Sequence, residues 1–261
     1  MSLAWPILYV ALVWFVSTGA IIWLDNRSPI TYGASLMGAT VVAGFAVCAV
    51  IISLNDTSAV GAFIAFAAAT AIWGWHEMSF LMGIIMGPNR KDCPPNLNEW
   101  GRFKAATATL IHHEIALAAT SVTLYALCWG QANMLAAHVF GLLFVMRLST
   151  KFNIFFGVAN FSADIMPPRL AYLKSYFRTA PMNWFFPFSL IGTGLLTWAF
   201  LNSAQAAPAG SGAAVGAIML FTLVSLALLE HAFLMMPLRD SALWDWAFPG
   251  KAGPKHSHLN K

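Results

Sequence analysis

The stretch TATLIHHEIALAATSVTLYALCWG, residues 107–130, decides the fold class because it combines a long apolar run with a compact group of ionisable side chains. Apart from His112, His113 and Glu114 it contains no histidine and no aspartate, glutamate, lysine or arginine. A helix needs about 20 mostly apolar residues to cross the hydrocarbon core of a bilayer. Ionisable groups inside a membrane are costly and usually functional. The stretch therefore predicts both a membrane span and a site on that span.

The composition extends this prediction to the whole chain. Of the 261 residues, 59% are hydrophobic and only 9% are charged, and the mean hydropathy is +0.69. Soluble chains carry about 25% charged residues. Because backbone polar groups in lipid must be paired within the chain, we predict an all-α, polytopic transmembrane helix bundle. Residues 1–261 form a single integral membrane domain in this prediction, and 237–261 form an interfacial segment and cytoplasmic tail.

Lysine and arginine fall on one side of the predicted topology. In a model with seven spans, all 14 basic residues lie at the same side of the membrane. By the positive-inside rule the N-terminus is outside and the C-terminus is cytoplasmic. The net charge of +4 then reflects topology, and no nucleic-acid partner is predicted. The predicted spans are 3–24, 33–54, 58–86, 103–129, 132–151, 183–203 and 212–236.

Three groups of histidine and glutamate lie inside predicted spans, at similar depths. Each is about 9–15 Å from the cytoplasmic end at 1.5 Å per residue. Such side chains ligate iron, zinc or manganese, and helix bundles build dinuclear sites from them. Neighbours on a helix diverge by about 100°, however, and neither Glu-x-x-His nor the histidine boxes of membrane desaturases occur. The candidate metal ligands are His76, Glu77, His112, His113, Glu114, Glu230 and His231.

Other interpretations of these residues remain open. A polar network without metal would fix helix packing, with Arg147 pairing one of the glutamates. Neutral histidine also ligates tetrapyrrole metals, and His138, on another level, is a candidate for such cofactor binding. A membrane metalloenzyme, a di-metal oxidoreductase acting on a tetrapyrrole or lipid, is the alternative function. A transporter or proton relay is disfavoured, because the sequence suggests neither an inverted repeat nor a broken-helix pair.

Six stretches of the chain match a known family: WHEMSFLMG (75–83), GPNRKDCP (87–94), RFKAATATLIHHE (102–114), TKFNIFFGVAN (150–160), PPRLAYLKSYF (167–177) and EHAFLMMPLRDSALWDWA (230–247). In these stretches the chain resembles the PuhE-like family of photosynthetic-complex assembly proteins of purple phototrophic bacteria, from the gene neighbourhood of the reaction-centre H subunit. The resemblance implies a multi-pass protein of the bacterial inner (cytoplasmic or intracytoplasmic) membrane. Its implied partners are reaction-centre or light-harvesting subunits and bacteriochlorophyll, in complex assembly or pigment supply. It assigns no role to the histidines and glutamates.

Overall fold

A computed structural model describes residues 4–161, 166–236 and 240–248, without the side chains of 240–242. The predicted all-α fold is confirmed, because the regular structure of these ranges is helical and only one isolated β-bridge joins two residues, Val158 and Thr179. The α-helices are α1 (Ala4–Asp25), α2 (Tyr32–Ser53), α3 (Ala59–Leu81), α4 (Glu99–Thr107), α5 (Ile111–Cys128), α6 (Leu135–Phe156), α7 (Phe186–Ala206) and α8 (Gly212–Phe233).

The connections between helices alternate between two ends of the bundle. At one end three short connections meet: Asn133 N–H donates to Leu54 O at 2.8 Å, and Gly212 N–H donates to Thr57 O at 2.9 Å. At the other end lie residues 26–31, 82–98, 157–161 and 166–185, which carry the basic loop residues. We call these the non-basic end and the basic end, since the first lacks lysine and arginine. The basic end is the one predicted to be cytoplasmic.

Length and apolarity separate the spans into two groups. Within the described ranges, α1, α2 with the short turn before it, α3, α6 and α8 are each long and apolar enough to cross a membrane. The pair α4 and α5 makes a sixth if it counts as one span. The sixth predicted span, 183–203, corresponds to α7, a 21-residue helix packed along α8, but its serines, threonines and Asn202 make it less apolar. The predicted count of seven is therefore reduced to five or six by this measure.

The fourth span is broken, a single bend that the sequence did not predict. Helices α4 and α5 meet at an angle of 66° around residues 108–110. The break exposes carbonyl groups, and the loop after α3 pairs them. Gly87 N–H donates to Thr109 O at 2.9 Å, and Asn89 N–H donates to Ala108 O at 3.0 Å. Gly87 is required here, because a Cβ would collide with the backbone of Ala108 and Leu110.

The core is apolar and well buried toward the non-basic end, and it is less buried toward the basic end. Seven of the eight residues 135–142 of α6 are buried, His138 being exposed, whereas none of residues 143–152 is. Around the first stretch pack Phe66, Leu117, Leu124 and Met219 from the neighbouring helices. Burial returns at Asn153 and Ile154. The half-buried middle of α6 is where the ionisable side chains lie.

The loops of the basic end form a folded cap. Arg102 donates to Tyr176 O at 2.7 Å and to Phe155 O at 2.9 Å, and its guanidinium stacks 3.7 Å from the centroid of the Phe155 ring. Asn89 donates to the Tyr176 hydroxyl at 2.8 Å, and that hydroxyl donates to Lys91 O at 3.1 Å. Burial raises the pKa of Tyr176, which keeps the hydroxyl a donor. Within the cap a 3₁₀ helix, Pro168–Tyr176, turns three side chains inward: Leu170, Leu173 and Tyr176.

The segment after α8 folds back along α1. A 3₁₀ helix covers Asp240–Ala247, and its Trp244 is buried against Trp14 and Phe15, with Trp246 lying over Gly19. Phe15 is ten residues before the end of α1, so Trp244 packs against the middle of that helix. Residues 237–239 and 249–261 of the predicted tail lie outside the described residues.

Candidate functional site

Glu77 is the centre of the candidate site, where α3, α5 and α6 meet. Its side chain is 11% exposed. Oε2 accepts a hydrogen bond from Arg147 at 3.2 Å, and Oε1 lies 3.9 Å from His113 Nε2. A buried charge needs a partner of opposite sign. The predicted pairing of Arg147 with one of the glutamates is therefore present, and Glu77 is the glutamate.

His113 is fully buried beside this ion pair. It is 0% exposed, and its ring lies 4.6 Å from the Phe80 ring at 30°. Neither ring nitrogen has a hydrogen-bond partner among the described residues. Buried polar atoms are normally paired. His113 is therefore a group that packing alone does not explain.

A second ion pair lies one helical turn nearer the basic end. Lys151 of α6 donates to the Glu114 carboxylate of α5, and the two side chains are 19% and 14% exposed. The Lys151 ammonium also lies 5.6 Å from the centroid of the Phe80 ring. With Arg147 and Glu77 this gives two positive and two negative groups. The cluster is thus balanced in charge without any added ion.

Two further predicted residues are buried but turn to other partners. His76 Nε2 lies 3.0 Å from Thr120 Oγ1, between α3 and α5. His231 donates from Nδ1 to Ala227 O at 2.8 Å, so its Nε2 accepts from Ser149 at 2.9 Å. His231 therefore joins α8 to α6 and does not face Glu77.

Three predicted residues lie at the surface instead. His112 and Glu230 are exposed near the basic end, although each is adjacent to a buried histidine. This is the divergence expected of neighbours on a helix. His138 is exposed toward the other end of α6, with its ring 5.9 Å from that of Tyr125.

Sequence reasoning missed two charged members of this region. Lys151 was counted only as a topological residue, although its distance of four residues from Arg147 places both on one face of α6. Asp25 is 1% exposed at the end of α1, and neither of its carboxyl oxygens has a hydrogen-bond partner in the described part of the chain. Arg169 donates to the backbone carbonyl of Asp25 at 2.7 Å and also bonds Tyr32.

The donor atoms do not assemble into a metal-binding group. No set of three or more histidine, cysteine, aspartate or glutamate side chains could hold a metal ion in the ranges that the structure describes. The nearest approach is that of Glu77 Oε1 and His113 Nε2, two atoms without hydrogen-bond partners. Metal and tetrapyrrole binding at the seven residues and at His138 stay predictions.

Fold and site together define a polytopic α-helical membrane protein with a charge-balanced cluster buried near one end of its bundle. The chain belongs to the family described as "protein of unknown function (DUF3623)", which matches residues 1–255. It is 37% identical over 248 residues to an uncharacterized 30.4 kDa protein in the puhA 5′ region of Rhodobacter capsulatus, covering 93% of this chain and 89% of that protein. No solved structure matches it.

Proposed function

We propose that the protein is an inner-membrane factor for assembly of the photosynthetic reaction-centre and light-harvesting complex, or for bacteriochlorophyll supply to it. The observation that carries the proposal is the relative in the puhA 5′ region, which aligns over nearly the whole chain. The family resemblance noted from the sequence motifs leads to the same genes. The apolar helices supply the membrane location that such a factor needs.

The buried cluster supports a structural role beside the proposed function. Its four charged groups form two ion pairs, which hold α3, α5 and α6 together. The exposed His138 imidazole is the proposed contact for a tetrapyrrole metal, since neutral histidine serves as an axial ligand. It lies on the outer surface of α6, where a pigment could approach through the lipid.

Deletion in a phototroph tests this function. A strain lacking the gene should assemble less reaction centre, measured by near-infrared absorption of isolated membranes. Re-expression of the wild type should restore the complex, and His138→Leu should restore it less well. Val145→Leu, an exposed position on the same helix, is the matched control. Unchanged complex and pigment levels in the deletion strain would contradict the proposal.

A metalloenzyme is the second candidate, favoured by the unpartnered Glu77 Oε1 and His113 Nε2 atoms. Metal analysis of the detergent-purified protein separates the two functions. Stoichiometric iron, zinc or manganese that disappears in both Glu77→Gln and His113→Ala would favour the enzyme. Substoichiometric metal, unchanged in those variants, would exclude it.

A further inference from the structure

The bend in the fourth span forms a groove that the proposed function does not use. The groove is open to the surface, has a volume of about 260 Å³ and lies in the angle between α4 and α5. Its lining is mostly apolar, with one basic side chain: Phe103, Lys104, Thr107, Ala108 and Ile111.

Both arms of the bent span turn one continuous face to this groove. Residues spaced by three and four lie on one side of a helix. On α4 this face consists of Trp100, Phe103, Lys104 and Thr107. Across the break it continues through Ala108, Ile111, His112 and Ile115. The groove therefore extends into an apolar track along α5.

Most of the outer part of this face is exposed. Trp100 is 63% exposed and Ile115 is 58% exposed, and Lys104 and His112 are also exposed. Phe103 is half-buried, because its ring stacks on Trp100 with centroids 5.5 Å apart and also contacts Phe155 of α6 at 5.6 Å. Aromatic residues at the basic end are typical of the border of the hydrocarbon, so we expect the groove to open toward lipid near the headgroups.

Lys104 carries the one formal charge of the face. The His112 imidazole on the other arm adds a hydrogen-bonding group, and the two acidic residues nearest in sequence are paired elsewhere. Glu99 pairs with Arg178 and Arg102, and Glu114 pairs with Lys151 in the bundle interior. A basic rim above an apolar track complements a molecule with a negative head and a hydrocarbon tail.

We propose that this groove binds an anionic phospholipid. The phosphate lies against Lys104 and His112, and one acyl chain follows Ile111 and Ile115 along α5. The lysine stem packs on the apolar surface while its ammonium reaches the headgroup, as long basic side chains do at membrane interfaces. The lipid fills the concavity that the 66° bend leaves in the outer surface.

Lipid selectivity of the wild-type protein is the first test, and it needs no variant. The full chain is purified in detergent, incubated with phosphatidylglycerol or with phosphatidylcholine of the same acyl chains, and examined by native mass spectrometry. We expect retention of one phosphatidylglycerol under conditions that remove phosphatidylcholine. Equal retention of both lipids, or of neither, overturns the proposal.

Two variants separate the headgroup contact from the chain contact. Lys104→Gln should weaken phosphatidylglycerol binding about fivefold, since one basic residue near a membrane surface contributes about 1 kcal/mol and 1.4 kcal/mol is tenfold. Thr107→Phe fills the groove and should abolish retention while the charge stays. Lys174→Gln in the cap and Val122→Phe, farther along exposed α5, are the matched controls. Wild-type binding by Lys104→Gln, with an unchanged melting temperature, overturns the proposed site.

Discussion

The Arg147 guanidinium donates to Glu77 Oε2 at 3.2 Å, and this bond joins α6 to α3 where the apolar core gives way to a polar one. On one side of it pack Trp73 and Phe140, with ring centroids 5.4 Å apart. On the other side lie the Lys151–Glu114 pair and the folded cap. The pair therefore marks the boundary between two differently built halves of the bundle.

Removing Arg147 alone should destabilise the protein more than removing the whole pair. Arg147→Met leaves the Glu77 carboxylate buried without its partner and should lower the free energy of unfolding by about 2–3 kcal/mol. This is below the usual range of about 3–5 kcal/mol for a buried pair, because 40% of the arginine side chain is exposed. Glu77→Leu combined with Arg147→Met should recover most of the loss. Thermal unfolding in detergent measures both, and equal losses in the single and double variants would contradict the pairing.

Gly87 should tolerate no side chain. Gly87→Ala places a methyl group against the Ala108 carbonyl in the break of the fourth span, so overpacking should cost about 1–3 kcal/mol of unfolding free energy. Gly44→Ala is the control, because a Cβ there meets nothing within 4 Å. Gly44 lies inside α2, where alanine is favoured over glycine by about 0.5–1 kcal/mol, so Gly44→Ala should leave the unfolding free energy unchanged or raise it. Equal melting temperatures for the two variants would show that the loop does not hold the break.

His113 and His76 should respond differently to replacement by leucine. His76→Leu loses the contact with Thr120 and should lower the unfolding free energy by about 1 kcal/mol. His113→Leu breaks no hydrogen bond to a described residue and retains an apolar contact with Phe80, so stability should hold or rise. If His113 is kept for function, His113→Leu should still fail to complement a deletion strain. A stable His113→Leu that complements fully would make the histidine a packing residue only.

Arg102 should control the order of the cap. Lysine keeps the charge but cannot reproduce the two simultaneous hydrogen bonds to Tyr176 O and Phe155 O. Lys174 and Arg178 are already at the surface, so Arg102→Lys should loosen the backbone that carries them. We expect faster tryptic cleavage at these two sites in limited proteolysis of detergent-solubilised protein. Lys91→Gln, an exposed cap residue outside this contact, should leave the cleavage at those two sites unchanged. The same cleavage rate in Arg102→Lys and wild type would contradict the clamp.

The sequence predicted the helices well because membrane insertion is governed by apolar length, which can be counted directly. The break at residues 108–110 was missed because TATLI is apolar and contains neither proline nor glycine. The carbonyl groups freed at the break accept hydrogen bonds from Gly87 and Asn89, which lie about 20 residues earlier in the chain. Such long-range hydrogen bonds have no local signal in one sequence.

The sequence indicated the level of the site along the helices, but not which residues face one another there. Apolar surroundings identified the buried Glu77 and His113, and the spacing of residues along the helices gave their level. The sequence does not show which face of each helix turns inward, however, so the exposed His112 and Glu230 were grouped with their buried neighbours. The ion-pair partner Lys151 was hidden for the same reason, since a lysine near a helix end also satisfies the positive-inside rule.

The broken fourth span also changes the bilayer around the protein. At 1.5 Å per residue, the 18 residues of α5 extend about 27 Å, compared with about 33 Å for the 22 residues of α6 or α8. Hydrophobic mismatch of this size is relieved by local thinning of the membrane, at a cost of fractions of a kcal/mol per ångström. The lipid annulus should therefore be thinner beside α5 than elsewhere around the bundle. This asymmetry gives the molecule a preference for thin bilayers and for neighbouring proteins with equally short spans.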